Sequence, residues 1–120
     1  MDKNYLSDEG REKYKQCLVK WKNKLGLVDW RFNLREQNAP GAMADVKPDY
    51  QARLANFRLG DWKASPQTEL EIEKTACHES LHVFLAELIE LVQAESKQHC
   101  IDSAEHRIIN ILESLLVNPH

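Results

Sequence analysis

A chain of 120 residues, 42% of them hydrophobic, is long enough for one core, so residues 1–120 are expected to form a single domain. Sixteen Lys and Arg against 19 Asp and Glu give a formal net charge of −3. That balance disfavours a protein whose affinity comes mainly from neutralising nucleic-acid phosphates.

Cys17, Cys77 and Cys100 are odd in number and irregularly spaced, which suits free thiols in a reducing cytosol better than a disulfide framework. The charged N-terminus leads into no apolar run, and no stretch approaches the ~18 uninterrupted apolar residues of a membrane span. A soluble, unexported, cytoplasmic protein is expected.

In chain order, Tyr14, Leu18, Trp21 and Leu25 recur at 4, 3, 4 and define one stripe of a helix over residues 7–25, with Ser7 as its cap and Gly26 ending it. Its other face carries Arg11, Lys13, Lys15, Lys20, Lys22 and Lys24, a solvated face or a contact surface for protein or nucleic acid. Residues 29–35 alternate, with Trp30, Phe32 and Leu34 on one side, as a half-buried strand does. Asn38-Ala39-Pro40-Gly41 supplies a turn. Residues 42–47 form a second strand closed by Pro48-Asp49, and residues 51–59 a third, with Ala55, Phe57 and Leu59 sharing a face. Three short strands joined by short turns predict a small antiparallel sheet. Ser65-Pro66 then reads as the start of a long helix running from Pro66 to about Glu95, with Glu69, Glu71 and Glu73 in its first turns. A last helix spans about Cys100 to Val117 and stops at Asn118-Pro119. The fold class is α+β.

The chemistry sits at His78-Glu79-Ser80-Leu81-His82. Residues four apart share a helix face, so His78 and His82 can offer imidazole nitrogens to one zinc ion. Glu79, about 100° further round, need not bind the metal but can reach the water on it, the position of a general base. The flanking residues, Thr75 to Phe84, carry no other fixed charge and no proline, as suits a helix holding a metal in a dry site. The alternative is a core helix whose histidines bond to backbone groups.

A catalytic zinc site usually has three protein ligands and an open position. In the last helix the series Ile101, Glu105, Ile108, Leu112, Leu115 is apolar except for Glu105. Burying an unpaired carboxylate is costly, and a zinc ion held by two neutral imidazoles would compensate it. Glu105 therefore ranks first as the third metal ligand. His106, turned away from that stripe with Ile109 and Glu113, ranks second, and His99 and Cys100 are further candidates. Cys77 points elsewhere and reads as core.

The helix 75–85 and the later Ala104-Glu105-His106-Arg107-Ile108-Ile109-Asn110 resemble the small metallopeptidases of phage and prophage genomes, which are similar to the minimal zincins of the SprT-like and ImmA-like groups. The resemblance implies a minimal zincin-like fold, with an N-terminal helix, a short sheet, an HExxH helix and a helix giving the third ligand, which in ImmA-like proteins is a glutamate. It further implies peptide or protein substrates, location in a bacterial host cytoplasm if phage-encoded, and an extended substrate pairing with the edge strand ahead of the zinc helix, here residues 52–59. The later glycine and third histidine of metzincins and the aspartate of thermolysin-like enzymes are missing. Tyr50, Arg53 and His106 are candidates to stabilise an oxyanion. The expected activity is zinc-dependent peptide hydrolysis with Glu79 as base. The alternative is a non-catalytic, zinc-stabilised binding module that uses the Lys-rich first helix.

Overall fold

The computed structural model describes residues 4–63, 65–86, 89 and 98–117; the side chains of Gln98, His99, Cys100, Ile101, Ala104 and Leu115 lie outside this description, as do Glu95 and Asn118-Pro119. Among the described residues the chain forms three helices and a three-stranded sheet, an α+β arrangement.

Helix α1 is Asp8–Lys24. The Ser7 hydroxyl accepts from the Gly10 N–H at 3.1 Å, satisfying a donor that the first turn leaves over, and Gly26 takes up the left-handed conformation (φ 71°) that lets the chain leave the helix. Tyr14, Leu18 and Trp21 are buried as their spacing predicts, and Cys17 joins them.

Strands β1 (Arg31–Leu34), β2 (Ala44–Asp49) and β3 (Leu54–Leu59) pair in the order β1-β3-β2. β2 and β3 are antiparallel, Ala44 opposite Leu59 and Asp49 opposite Leu54, and Asp45 and Arg58 add an ion pair between directly opposed residues. β1 and β3 are parallel, Arg31 beside Leu54 and Leu34 beside Phe57. The sheet is therefore mixed, not antiparallel. The reason lies in the connections. Residues 50–53 make a tight turn, in which Asp49 accepts from the Ala52 N–H, but the segment from β1 to β2 is longer and wraps the end of β3. There Ala39 N–H donates to Leu59 O and Gly60 N–H to Met43 O. This wrap delivers β2 to the far side of β3, so β3 is central and β2 is an edge. Residues 52–59, expected to be the edge strand ahead of the zinc helix, thus contain the central strand of the sheet.

Helix α2, Glu69–Phe84, is capped by Thr68, whose hydroxyl accepts from the Glu71 N–H at 3.2 Å; Ser65-Pro66 lies ahead of it and caps nothing. Its C-cap is Leu85, which interrupts the single helix predicted to Glu95; Ala86 and Ile89 are again helical, and the rest of the stretch to Glu95 lies outside the described residues. α1 and α2 pack on each other, α2 also on β2 and α1 on β1. Tyr14, Trp21, Phe57, Trp62, Cys77 and Leu81 lie in the resulting core. Helix α3, Gln98–Leu116, packs chiefly on α2 and contributes Ile109 to that core. No helix among the described residues is long and apolar enough to cross a membrane.

Candidate metal centre

On α2 the sequence Ala76 to Val83 alternates between two duties. Ala76, Cys77, Ser80, Leu81 and Val83 are buried against α1 and the sheet, while His78 and His82 emerge, half-buried, on the side facing α3. The four-residue spacing puts the two rings 5.2 Å apart, centroid to centroid. The third ring of the cluster comes from α3: the His106 centroid is 4.9 Å from that of His82 and 6.0 Å from that of His78. One nitrogen from each of these three imidazoles lies within 4.8 Å of the other two.

Glu105 is not part of that trio of nitrogens. Its Oε2 stands 2.6 Å from His82 Nδ1, a hydrogen bond in which the ring N–H donates. A proton held on Nδ1 leaves the lone pair on Nε2, where it can serve a metal. Glu113 has a related but looser position, with Oε1 3.9 Å from His78 Nδ1. Two turns of α3 thus bring one carboxylate to each histidine of α2.

This arrangement rotates α3 from its predicted setting. Ile109 is fully buried whereas Ile108 is 41% exposed, so the face on α2 follows the ridge Glu105, Ile109, Glu113, and His106 is beside it, not turned away. The apolar series through Ile108 follows a heptad-like spacing, but the two carboxylates find histidine partners only when the four-residue ridge faces α2. Glu113, which the apolar pattern passes over, could have been found from its i, i+8 relation to Glu105.

Glu79 lines a cavity together with His78 and Glu113 and is only 8% exposed. Burial, reinforced by the negative charges of Asp45, Glu113 and Glu105 and opposed by His82, pushes its carboxyl up to about 7. Burial also acts on His78, together with repulsion from His82 and His106, and lowers it to about 4, so that ring is neutral at pH 7.

Cavities flank the histidines on both sides. One, of about 570 Å³, opens between the Asp49 end of β2, His82 and Glu105. The other, of about 340 Å³, lies between the Ala44 end of β2, His78, Glu79 and Glu113. The strand running past the centre is β2, an edge of the sheet, whereas residues 52–59 contain the central strand β3. Of the other candidates, Tyr50 lines the larger cavity, while Arg53 stacks on the Tyr50 ring with its guanidinium carbon 4.2 Å from the centroid. Cys77 is core, as expected.

Four lysines of α1 are locally engaged: Lys20 pairs with Glu73 and also lies over the Trp21 ring with Lys24, Lys15 is 3.9 Å from Glu12, and Lys22 donates to Val28 O.

No protein-family model, curated protein or solved structure matches the chain.

Proposed function

We propose that the protein binds one zinc ion through His78, His82 and His106 and hydrolyses peptide bonds with Glu79 as general base. The observation that carries this reading is the convergence of three imidazoles from two helices, one nitrogen of each within 4.8 Å of the others, beside a buried carboxylate. Three neutral nitrogen donors suit zinc, and a three-ligand set leaves the open position that catalysis needs. Glu105 then serves as the acceptor that orients His82, and Glu113 supports His78. The sequence ranked Glu105 ahead of His106 as ligand; the distances favour the reverse order.

When bound, zinc supplies a water of pKa about 7 and polarises the scissile carbonyl. Glu79 takes the proton from the attacking water and passes it to the departing amine, a double transfer served by a carboxyl that burial holds beside the histidines. The free edge of β2 gives an extended peptide backbone groups to pair with, save at Pro48, which has no N–H.

Metal analysis of protein purified without chelator should find about one zinc per chain. A metal-free preparation that takes up none on titration sinks the reading. Glu79→Gln should retain zinc and lose cleavage of an unstructured protein substrate. His106→Ala should lose more zinc affinity than Glu105→Gln, for which a loss of about 10–100-fold is expected of a residue acting through a ligand. The opposite order would make Glu105 the third ligand.

A further inference from the structure

We infer that the protein selects a basic side chain, lysine or arginine, beside the bond it cleaves, and seats it in the cavity between the Asp49 end of β2 and Glu105 of α3. The inference rests on the peptidase reading above and names its substrate class.

The cavity, about 570 Å³, begins at His82, so a side chain entering it belongs to a residue next to the reacting bond. Its volume falls in the range of pockets that hold small ligands. Beyond His82, Val46, Pro48, Ala86 and Ile89 give apolar wall, Tyr50 a ring, and Asp49 and Glu105 two carboxylates, with no lysine or arginine among the described residues that line it. Such a surface fits an aliphatic stem ending in a cation, which lies along apolar atoms and carries its charge to the acids. A neutral amide side chain would meet carboxylates it cannot neutralise, and an acidic one would be repelled.

Both carboxylates are held in place. Asp49 Oδ1 accepts from the Ala52 N–H at 3.1 Å and Glu105 Oε2 bonds His82 Nδ1, and each carboxylate keeps lone pairs for a further donor. Arg53 does not supply the missing cation, because its guanidinium is stacked on Tyr50 and directed to Trp30 and Asp29, 3.9 Å from the Asp29 carboxylate. The cavity on the other side of the histidines sets Lys74 among Glu71, Glu79 and Glu113, with Lys74 3.8 Å from the Glu71 carboxylate, so it already holds a cation of its own. Selection by charge therefore falls on the His82 side.

The test uses the zinc-loaded full chain on an unstructured protein, with cleavage positions mapped by mass spectrometry. Lysine or arginine should be enriched at one fixed position adjacent to the cleaved bond. A pair of peptides differing only in Lys or Gln at that position should differ about tenfold in kcat/KM, the scale of one charge-assisted contact. Asp49→Asn, which keeps an acceptor for the Ala52 N–H, should collapse that ratio, and Asp49→Lys should turn it towards Glu. Equal cleavage of the two peptides, or a ratio unmoved in both variants, overturns the inference while leaving the hydrolytic reading intact. A second arm reads selectivity without turnover: zinc-loaded Glu79→Gln should bind the Lys peptide about tenfold more tightly than the Gln peptide by fluorescence anisotropy. If the wild type cleaves nothing, the proposed function fails, and equal binding in this arm overturns the selectivity by itself.

Discussion

Burial acts on Glu79 and on His78 with opposite sign, raising the carboxyl to about 7 and lowering the imidazole to about 4, and both shifts favour the neutral form. For Glu79 the folded chain holds a proton that the unfolded chain gives up near 4.5. Between those values the folded state binds more protons, so this group's contribution to stability falls as pH rises from about 4.5 to 7. In chelator-treated protein, Glu79→Gln should therefore be more stable than wild type by about 3 kcal/mol at pH 8, with the gap closing towards pH 5. Urea unfolding at the two pH values measures it, and a gap independent of pH contradicts the assignment. Burial also pushes the Cys77 thiol up to about 12 and raises that of Cys17. Both should resist alkylation at pH 8 in the native protein and react on denaturation, as peptide mass mapping will show. That Cys77 is core could be read from its place beside His78, because adjacent helical residues face different ways.

At the scale of elements, the decisive segment is the wrap of residues 35–43 around the end of β3. A Cβ at Gly60 would be driven into the carbonyl oxygen of Ala42 and would lie 2.7 Å from that of Ala39. Gly60→Ala should cost about 2–3 kcal/mol in denaturant unfolding, because the obstacle is backbone that itself pairs with Leu59 and Gly60. A loss under 0.5 kcal/mol, the range of unremarkable surface changes, would show that the wrap yields. This segment also shows where sequence patterning stops. Alternation identified Phe32 and Leu34 in β1 and Ala55, Phe57 and Leu59 in β3, because each strand's burial is local to it. Which strands pair depends on where the connection runs, and Asn38-Ala39-Pro40-Gly41 looks the same whether it closes a hairpin or carries the chain past one. The site divides in the same way. His78, Glu79 and His82 were legible from spacing within one helix, whereas the roles of Glu105, His106 and Glu113 depend on how α3 is rotated on α2. Ile108 and Ile109 are both apolar, so hydrophobicity alone could not fix that rotation.

At the scale of the whole molecule, the candidate centre joins two helices that are anchored differently among the described residues. α2 is buried between α1 and β2, whereas α3 meets the core through Ile109 and Leu112, followed by Val117, while Ile108, Ile111 and Leu116 remain exposed. An ion shared by His78, His82 and His106 would tie α3 to α2 at the end where Glu105 already meets His82. Binding to the folded state alone adds about 2.7 kcal/mol at a free zinc concentration a hundredfold above Kd. The increment should appear as a rise in Tm and, in hydrogen exchange, as protection gained first by the amides of α3, since a helix that opens by itself before global unfolding responds most to a tether. His106→Ala should abolish both effects while leaving the exchange of α1 and β3 as in the metal-free wild type. Zinc that raises Tm without slowing exchange in α3 would place the ion elsewhere, and with it the chemistry assigned to Glu79.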